Sequence, residues 1–483
     1  MSASFNVLDQ AWIPVVTIDG KEKMLGIRET LVNAHELREI SSVSPLEEYS
    51  LYRFLGLFLM DALRPESELD IEDFLDAGSF DQNLIEAYIA QCRSEGVSFD
   101  LFDEDRPFLQ SKYDPAMDGD PKPVTVLDFT RANGNNHTHF DHDPKVAAIT
   151  PATAARLLPT YYTFLTMEGR GYGYSINEKP PYYGVIKGHC LFETLINSML
   201  PTDSIGYVFD DPPVFWRRET PIARQDKSEN GLVGKTSWMG AMFFPARRIT
   251  LIPEEDMSVK WVYHSPGEKF LNADAWRDPY VTYMVGKDGF FPMRPSADRA
   301  IWRNLSDIVN IPGGQASQLL TTYRNLQYCD TVDLTLYGVE TDQASYLGIY
   351  RHSFSFPLAL TEKGNTVDML RLCIQTSETL ANALRKAFSK IAVLPDAAAS
   401  LSVQQYYQAC EKRFWHFCDQ AATTAPGKED LAAFCDDAAD YAENAFSAAV
   451  GSLNLRAAAL AVAEKQRGIL YKSIKKLKKE VRL

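Results

Sequence analysis

The rhythm of apolar and polar positions changes several times along the chain. Apolar residues recur at helical spacing from Gly26 to Ile40 and, more densely, from Pro45 to Leu63, with Ser44 placed as an N-cap and Pro45 at the first helical position. Before them, the stretch from Phe5 to Gly20 reads as two short strands turning at Asp19-Gly20, where a positive φ is tolerated. Ser98 to Gln110 is aromatic and acidic and reads as a loop pinned on the core by Phe99, Phe102 and Phe108. Thr150 and Pro151 supply the cap and first turn of a helix running to about Tyr162. From Trp238 to about Val339, short apolar runs such as Arg248–Ile252 and Tyr280–Val285 alternate with Pro and Gly, which predicts strands of a mixed sheet. Leu334 to Ser345 runs a strand into a polar tip.

After Pro357 the pattern changes for good. Alanine rises, Gly and Pro fall, and long helical stretches follow at Val367–Val393, Ser402–Ala421, Glu429–Ser452 and Leu455–Val481. The predicted fold class is therefore α+β: a mixed α/β amino-terminal domain over residues 1–357, then a helical bundle over residues 358–483.

Composition narrows the function classes. A chain of 483 residues needs more than one core, and 45% hydrophobic residues exclude global disorder. The net charge of -15 argues against a free-standing, non-specific nucleic-acid binder, unless a local basic patch or basic partners override it. One such patch closes the chain, where Lys472, Lys475, Lys476, Lys478 and Lys479 cluster against Glu480 and would attract phosphate; a solvated helix end is the plainer reading. The cysteines are odd in number, widely spaced and without a Cys-x-x-Cys, a pattern suited to a reducing cytoplasm. The Met1 end has no basic-then-apolar leader. The most apolar run, Leu46 to Leu63, carries Glu47, Glu48, Arg53 and Asp61, which fits burial in protein and not in lipid, so no membrane span is expected.

Three stretches carry candidate chemistry. In Arg131 to Asp143, His137, His139, Asp141 and His142 spell His-x-His-x-Asp-His, the spacing that surrounds a zinc pair in metallo-β-lactamase-like hydrolases. The same stretch opens with Asn133, Gly134, Asn135 and Asn136, turn-forming residues of an exposed loop whose imidazoles and Phe140 would meet a nucleic acid or a partner. In Met167-Glu-Gly-Arg-Gly-Tyr-Gly-Tyr174, alternating glycines allow the backbone itself to approach a ligand, although a flexible turn has the same composition. Gly231-Leu-Val-Gly-Lys-Thr236 imitates a phosphate loop, but Glu229 stands where the first glycine belongs and its carboxylate would repel phosphate. Pro266-Gly-Glu-Lys269 is a turn exposing a lysine.

Taken together, Leu8-Asp-Gln-Ala-Trp-Ile-Pro14, Phe99-Asp-Leu-Phe-Asp103 with Arg106-Pro-Phe-Leu-Gln110, Asn135 to His142, the glycine loop and Thr341-Asp-Gln-Ala344 resemble, in order and spacing, the large subunit (CasA type) of the type I-E CRISPR Cascade surveillance complex. The resemblance spans nearly the whole chain, although the cysteine-rich zinc knuckle of some members is absent. It implies a non-catalytic, cofactor-free, cytoplasmic subunit that recognises the protospacer-adjacent motif in duplex DNA, helps start target unwinding and recruits a helicase-nuclease. Its carboxy-terminal four-helix bundle would pack on the small subunits. Gly171 and Gly173 match the loop that enters the minor groove, and Lys269 matches the lysine finger. Asp342, Gln343 and Ala344 match the duplex wedge. Asn135, Asn136, His137 and Phe140 match the loop docking on the guide-RNA handle and backbone subunits. The metallohydrolase remains one alternative, although His189, His264, His352 and His416 lie in no matching ligand context. A purely structural scaffold subunit that never touches DNA is the other.

Overall fold

The structure is a computed structural model that describes residues 3–131, 147–166, 176–202, 214–226, 229–271, 276–297, 299–342, 345–362, 364–453 and 456–482. The chain folds into two compact units. The first comprises Met1–Arg299, Ala316–Gln327 and Asp333–Phe354, and the second Ala300–Gln315, Tyr328–Val332 and Ser355–Leu483.

The first unit is organised on the helix Pro45–Leu63. Leu51, Phe54, Leu55, Phe58 and Leu59 are buried, and so are Glu48, Arg53 and Asp61, so this helix has no solvated face. Each buried charge has a partner: Glu48 accepts from Tyr337 Oη at 2.6 Å, Arg53 pairs with Asp278 at 2.8 Å, and Asp61 accepts from Tyr88 Oη at 2.6 Å. Such pairing is what makes charge tolerable in an apolar interior. Ser44 holds the N-cap position with Pro45 behind it, but its side chain makes no capping bond. Ser42 Oγ instead donates to Glu47 at 2.7 Å.

Around this helix lie small sheets. Ile13–Thr17 pairs antiparallel with Glu22–Leu25 across the predicted turn, where Gly20 has φ 84°. The hairpin arms start later than expected, because Phe5 to Gln10 forms a turn that packs Val7 inward and offers its carbonyl to Trp12 Nε1 at 2.8 Å. Helical spacing over residues 26–40 proves half right: the helix covers Ile27–Val32, and Leu37–Ile40 becomes the third strand of this sheet. Pairing with Val15 and Val16 outweighs the local periodicity there.

The single mixed sheet expected between Trp238 and Val339 is replaced by separate pieces. Arg247–Pro253, Val259–Pro266 and Lys122–Pro123 form one antiparallel sheet, and Tyr283–Gly286 and Gly289–Pro292 form an isolated hairpin. Trp238–Met242, Leu305–Ile308 and Gln318–Leu326 are helices. Frequent Pro and Gly keep each apolar run too short to join a common sheet. Phe99 and Phe108 are buried as expected, whereas Phe102 is half-exposed.

In the second unit, Gly364–Phe388, Asp396–Thr423, Lys428–Gly451 and Ala457–Arg482 form a four-helix bundle. Its spine is Leu370, Leu380, Phe414, Phe417, Phe434 and Phe446, and small residues Ala438, Ala442 and Ala449 let the third helix approach closely. Trp302 extends this core, its ring 5.1 Å from Phe414. Burial raises the Cys410 and Cys435 thiols to about 11, which keeps them protonated and unreactive. Among the described residues no helix is long and apolar enough to cross a membrane.

Candidate nucleic-acid interface

Several of the candidate residues, namely Asn135, Asn136, His137, His139, Phe140, Asp141, His142, Gly171, Gly173, Gln343 and Ala344, lie outside the described residues. Their chain supports are described, and so are Asp342, Lys269 and the carboxy-terminal lysines.

The helix Pro151–Phe164 leads into the glycine loop. Thr150 Oγ1 caps it by accepting from Thr153 N–H at 3.1 Å, as its sequence predicts. Its last turn is held from outside: Tyr183 Oη donates to Thr163 O at 3.2 Å, Tyr346 Oη to Phe164 O at 3.3 Å, and Arg247 Nη2 to Thr166 O at 3.4 Å. These bonds satisfy carbonyls that a helix end leaves open. Where the chain returns, Ile176 is buried and Asn177 is fully engaged. Asn177 Nδ2 donates to Asp278 at 3.2 Å and to Tyr183 Oη at 3.0 Å, while its Oδ1 accepts from Trp276 Nε1 at 2.9 Å. Asp278 is itself fixed by Arg53, whose guanidinium also donates to Tyr49 Oη at 3.0 Å. Burial, which outweighs the nearby guanidinium, raises the Tyr183 hydroxyl, so it stays protonated and able to donate. Both ends of the glycine loop thus rest on a buried polar network anchored in the central helix.

Asp342 ends the strand Thr331–Asp342, and Ser345–Pro357 returns beside it. Asp342 is exposed, while the arms behind it are gripped. Glu340 accepts from Tyr350 Oη at 2.7 Å and from Ala297 N–H at 3.2 Å. Gly338 lies so close to Pro295 and the Tyr182 ring that a side chain would not fit. Arg351 reaches the buried Glu48 at 3.2 Å. The result is a fixed hairpin arm that presents a polar end, matching the strand with a polar tip read from sequence.

Lys269 is exposed at the start of the two-residue strand Lys269–Phe270, which pairs in parallel with Leu232–Val233. The turn before it is tightly held. A Cβ on Gly267 would collide with the carbonyl of Pro245, and Glu268 is buried with its carboxylate bound by Arg218 at 2.9 Å. Lys269 N–H then donates to Gly231 O at 2.8 Å. The false phosphate loop therefore has a structural use as the support for this turn. No strand-to-helix phosphate loop forms there, since Leu232–Val233 is a strand and the following helix begins only at Trp238.

At the carboxy-terminal helix, Lys472, Lys475 and Lys479 are exposed and make no ion pair with described residues. Lys476 pairs with Glu480 at 3.6 Å, and Lys478 with Asp436 at 3.0 Å. Partial burial pushes the Asp436 carboxyl up, but Lys478 and Arg482 outweigh it and hold the carboxyl below its usual range. Two of the five lysines are thus engaged within the bundle. Among the described residues no group of three or more His, Cys, Asp or Glu is arranged to hold a metal; the His137–His142 stretch lies outside them.

Sequence reasoning missed the supports Arg53, Asn177, Glu268, Asp278 and Glu340. One signal was available: charged residues inside the apolar run from Leu46 to Leu63 require buried partners. Nothing local names those partners, which lie far away in sequence.

Comparison with known proteins agrees with this architecture. The family model for CRISPR-associated protein Cse1 matches residues 6–445. A CRISPR-associated protein CasA/Cse1 from Thermus thermophilus is 31% identical over 410 residues, covering 80% of this chain and 78% of that protein. Among solved structures, Thermus thermophilus CasA (Cse1) superimposes with a TM-score of 0.77 at 25% identity, covering 98% of this chain and 100% of the other. Cse1 from Acidimicrobium ferrooxidans shares the fold at a TM-score of 0.76 and 19% identity, covering 100% of both chains. A chain of a CRISPR RNA-guided surveillance complex gives 0.77 at 21% identity, covering 97% of this chain and 99% of that one. With the match extending over most of its length, the chain belongs to the CRISPR-associated Cse1 family as a CasA-type large subunit.

Proposed function

We propose that this chain is the non-catalytic large subunit of a cytoplasmic, RNA-guided surveillance complex, and that it reads a short motif in duplex DNA and starts the opening of the target. Its partners on this reading are guide RNA, the backbone and small subunits of Cascade, target DNA and a helicase-nuclease. Residues 1–357 do the reading and residues 358–483 dock on the small subunits. Gly171 and Gly173 let the backbone into the minor groove, Lys269 contacts the same duplex, and Asp342, Gln343 and Ala344 form the wedge. Asn135, Asn136, His137 and Phe140 dock on the guide-RNA handle. Of the five lysines clustered near the end of the last helix, Lys472, Lys475 and Lys479 make no ion pair with described residues and are available to DNA phosphate.

The observation that carries this reading is the hairpin. Its arms are held by Glu340, Gly338 and Arg351, while Asp342, the first of the residues matched to the wedge, is exposed where the first arm ends. A wedge must not yield when it meets stacked bases, and unstacking costs a few kcal/mol.

The test is binding of the assembled complex to duplexes randomised beside a guide-matched target. Motif-dependent binding is expected, with loss on Gly171→Val or Gly173→Val in folded, assembled protein. Gln343→Ala, alone or with Asp342→Ala, should slow the opening of intact duplex and leave a pre-melted bubble unaffected. Complex that assembles normally but binds every duplex alike would leave only the scaffold role. Alanine at both His137 and Phe140 should weaken incorporation without changing the melting temperature. Stoichiometric metal with a chelator-induced fall in melting temperature would instead favour the hydrolase.

A further inference from the structure

Three aromatic side chains from three separate segments of the first unit meet in one stack. Phe129 lies with its ring centroid 4.5 Å from that of Tyr346, the planes 22° apart, and 5.3 Å from that of Tyr161, again at 22°. Phe129 precedes the docking stretch that begins at Asn135 by only a few residues. Tyr161 belongs to the helix that leads into the glycine loop. Tyr346 is the second residue of the returning hairpin arm, just after Gln343 and Ala344.

The stack is tied at both sides. Tyr346 Oη donates to Phe164 O at 3.3 Å, so the hairpin arm bonds directly to the last turn before the glycine loop. Tyr161 Oη lies 2.7 Å from His264 Nε2, and Lys122 Nζ lies 3.2 Å from His264 Nδ1. The lysine ammonium has only protons to give, so Nδ1 accepts, and Nε2 carries the proton that it donates to Tyr161. Phe129 and Tyr161 are buried, which leaves the rings little room to slide.

We propose that Phe129, Tyr161 and Tyr346 are positioning residues that link the docking loop to the duplex-opening hairpin, so that seating of the former on the guide complex fixes the placement of the latter. The proposal rests on the readings of Gln343 as a wedge and of Asn135 to Phe140 as a docking loop. A wedge acts only where it meets the base pair to be unstacked, so the placement of its arm matters as much as its tip.

The experiment uses the full chain assembled with guide RNA and its partner subunits, and follows the opening of an intact guide-matched duplex and of the same duplex with a pre-melted bubble. Tyr346→Leu and Phe129→Leu keep an apolar side chain in place but remove the stacked rings. Each is expected to slow intact-duplex opening by about tenfold, within the range that mutations along a contact network change coupling. Opening of the bubble and the incorporation measured by gel filtration should stay unchanged. The double variant should be no slower than either single one, because both break the same link. Tyr346→Phe, which keeps the ring and loses only the hydroxyl, should recover most of the rate. A merely structural role would lower the melting temperature and slow both substrates alike, and that result overturns the proposal. Wild-type opening by Tyr346→Leu and Phe129→Leu, beside a slow Gln343→Ala control, overturns the link and leaves the wedge reading standing. Wild-type opening by Gln343→Ala overturns the wedge reading and the link with it.

Discussion

Each of the two units is held together internally by a different kind of contact. In the bundle, buried positions are mostly apolar and recur at helical spacing, the polar ones among them, such as Thr366, Ser377, Ser402 and Gln466, are uncharged, and ion pairs such as Arg413–Asp437 and Lys478–Asp436 are partly exposed. In the first unit, buried charges do much of the joining. Arg53 meets Asp278, Arg248 meets Asp118 at 2.9 Å, and Arg217 meets both Asp61 at 2.9 Å and Glu95 at 2.8 Å. Each pair connects segments far apart in the chain. A bundle can be held by local repetition, but segments that must present several loops at fixed positions need contacts that specify one partner. Apolar contact is less selective than a hydrogen-bonded charge pair, and this is where the first unit uses its buried polar groups.

The largest effect that would break this contrast is at Asp278. Asp278→Ala strands a buried guanidinium and should cost about 3–5 kcal/mol in denaturant unfolding. The double variant Arg53→Met, Asp278→Leu should recover much of that stability while leaving motif-dependent DNA binding impaired, because Asn177 keeps Tyr183 Oη but loses Asp278 as an acceptor. If binding returns with stability, the pair is only a fastener. In the bundle, Phe414→Ala should cost a similar amount, about 3–5 kcal/mol, through a cavity beside Trp302. Near-ultraviolet circular dichroism and denaturant unfolding would check it, and the bundle should show no rescue by a second polar change.

A smaller effect sharpens the contrast through pH. Burial, then Lys122 and Arg247, hold His264 well below its ordinary titration range in the fold. The unfolded chain therefore takes up a proton near pH 6.5 that the folded chain refuses, so stability falls as pH drops below about 6.5 toward the folded value, by at most about 1.4 kcal/mol per pH unit. Unfolding free energies at pH 7.5 and 5.5 would show this loss, and His264→Gln should flatten it. The smallest effect is at the surface. Lys475→Gln with Lys479→Gln should change stability by less than about 0.5 kcal/mol, since both are exposed and unpaired with described residues. Thermal unfolding of that variant checks it.

The same contrast explains what the sequence made legible. Pro45–Leu63, the Thr150 cap with its helix and the four bundle helices are visible because each is specified by residues next to one another. Leu37–Ile40 was misread as helix because its strand partner lies more than a helical turn away, at Val15 and Val16. The run from Trp238 to Val339 was misread as one sheet because strand propensity does not say which strands meet. At the candidate site, Lys269 and the polar hairpin end were readable as exposed residues in turns. Asn177 and Asp278 were not, since an isolated Asn or Asp in a loop looks alike whether it faces water or a buried arginine.

The turn before Lys269 has one further consequence. Gly267 is pressed on the backbone near Pro245, Glu268 is bound by Arg218, and the Lys269 amide is bonded to Gly231, so everything that fixes this position is main chain or a neighbouring residue. Nothing in that mount depends on which side chain residue 269 carries. Lysine can therefore be exchanged there for arginine, glutamine or asparagine with the backbone unmoved, so a change in function on such an exchange reports the side chain alone.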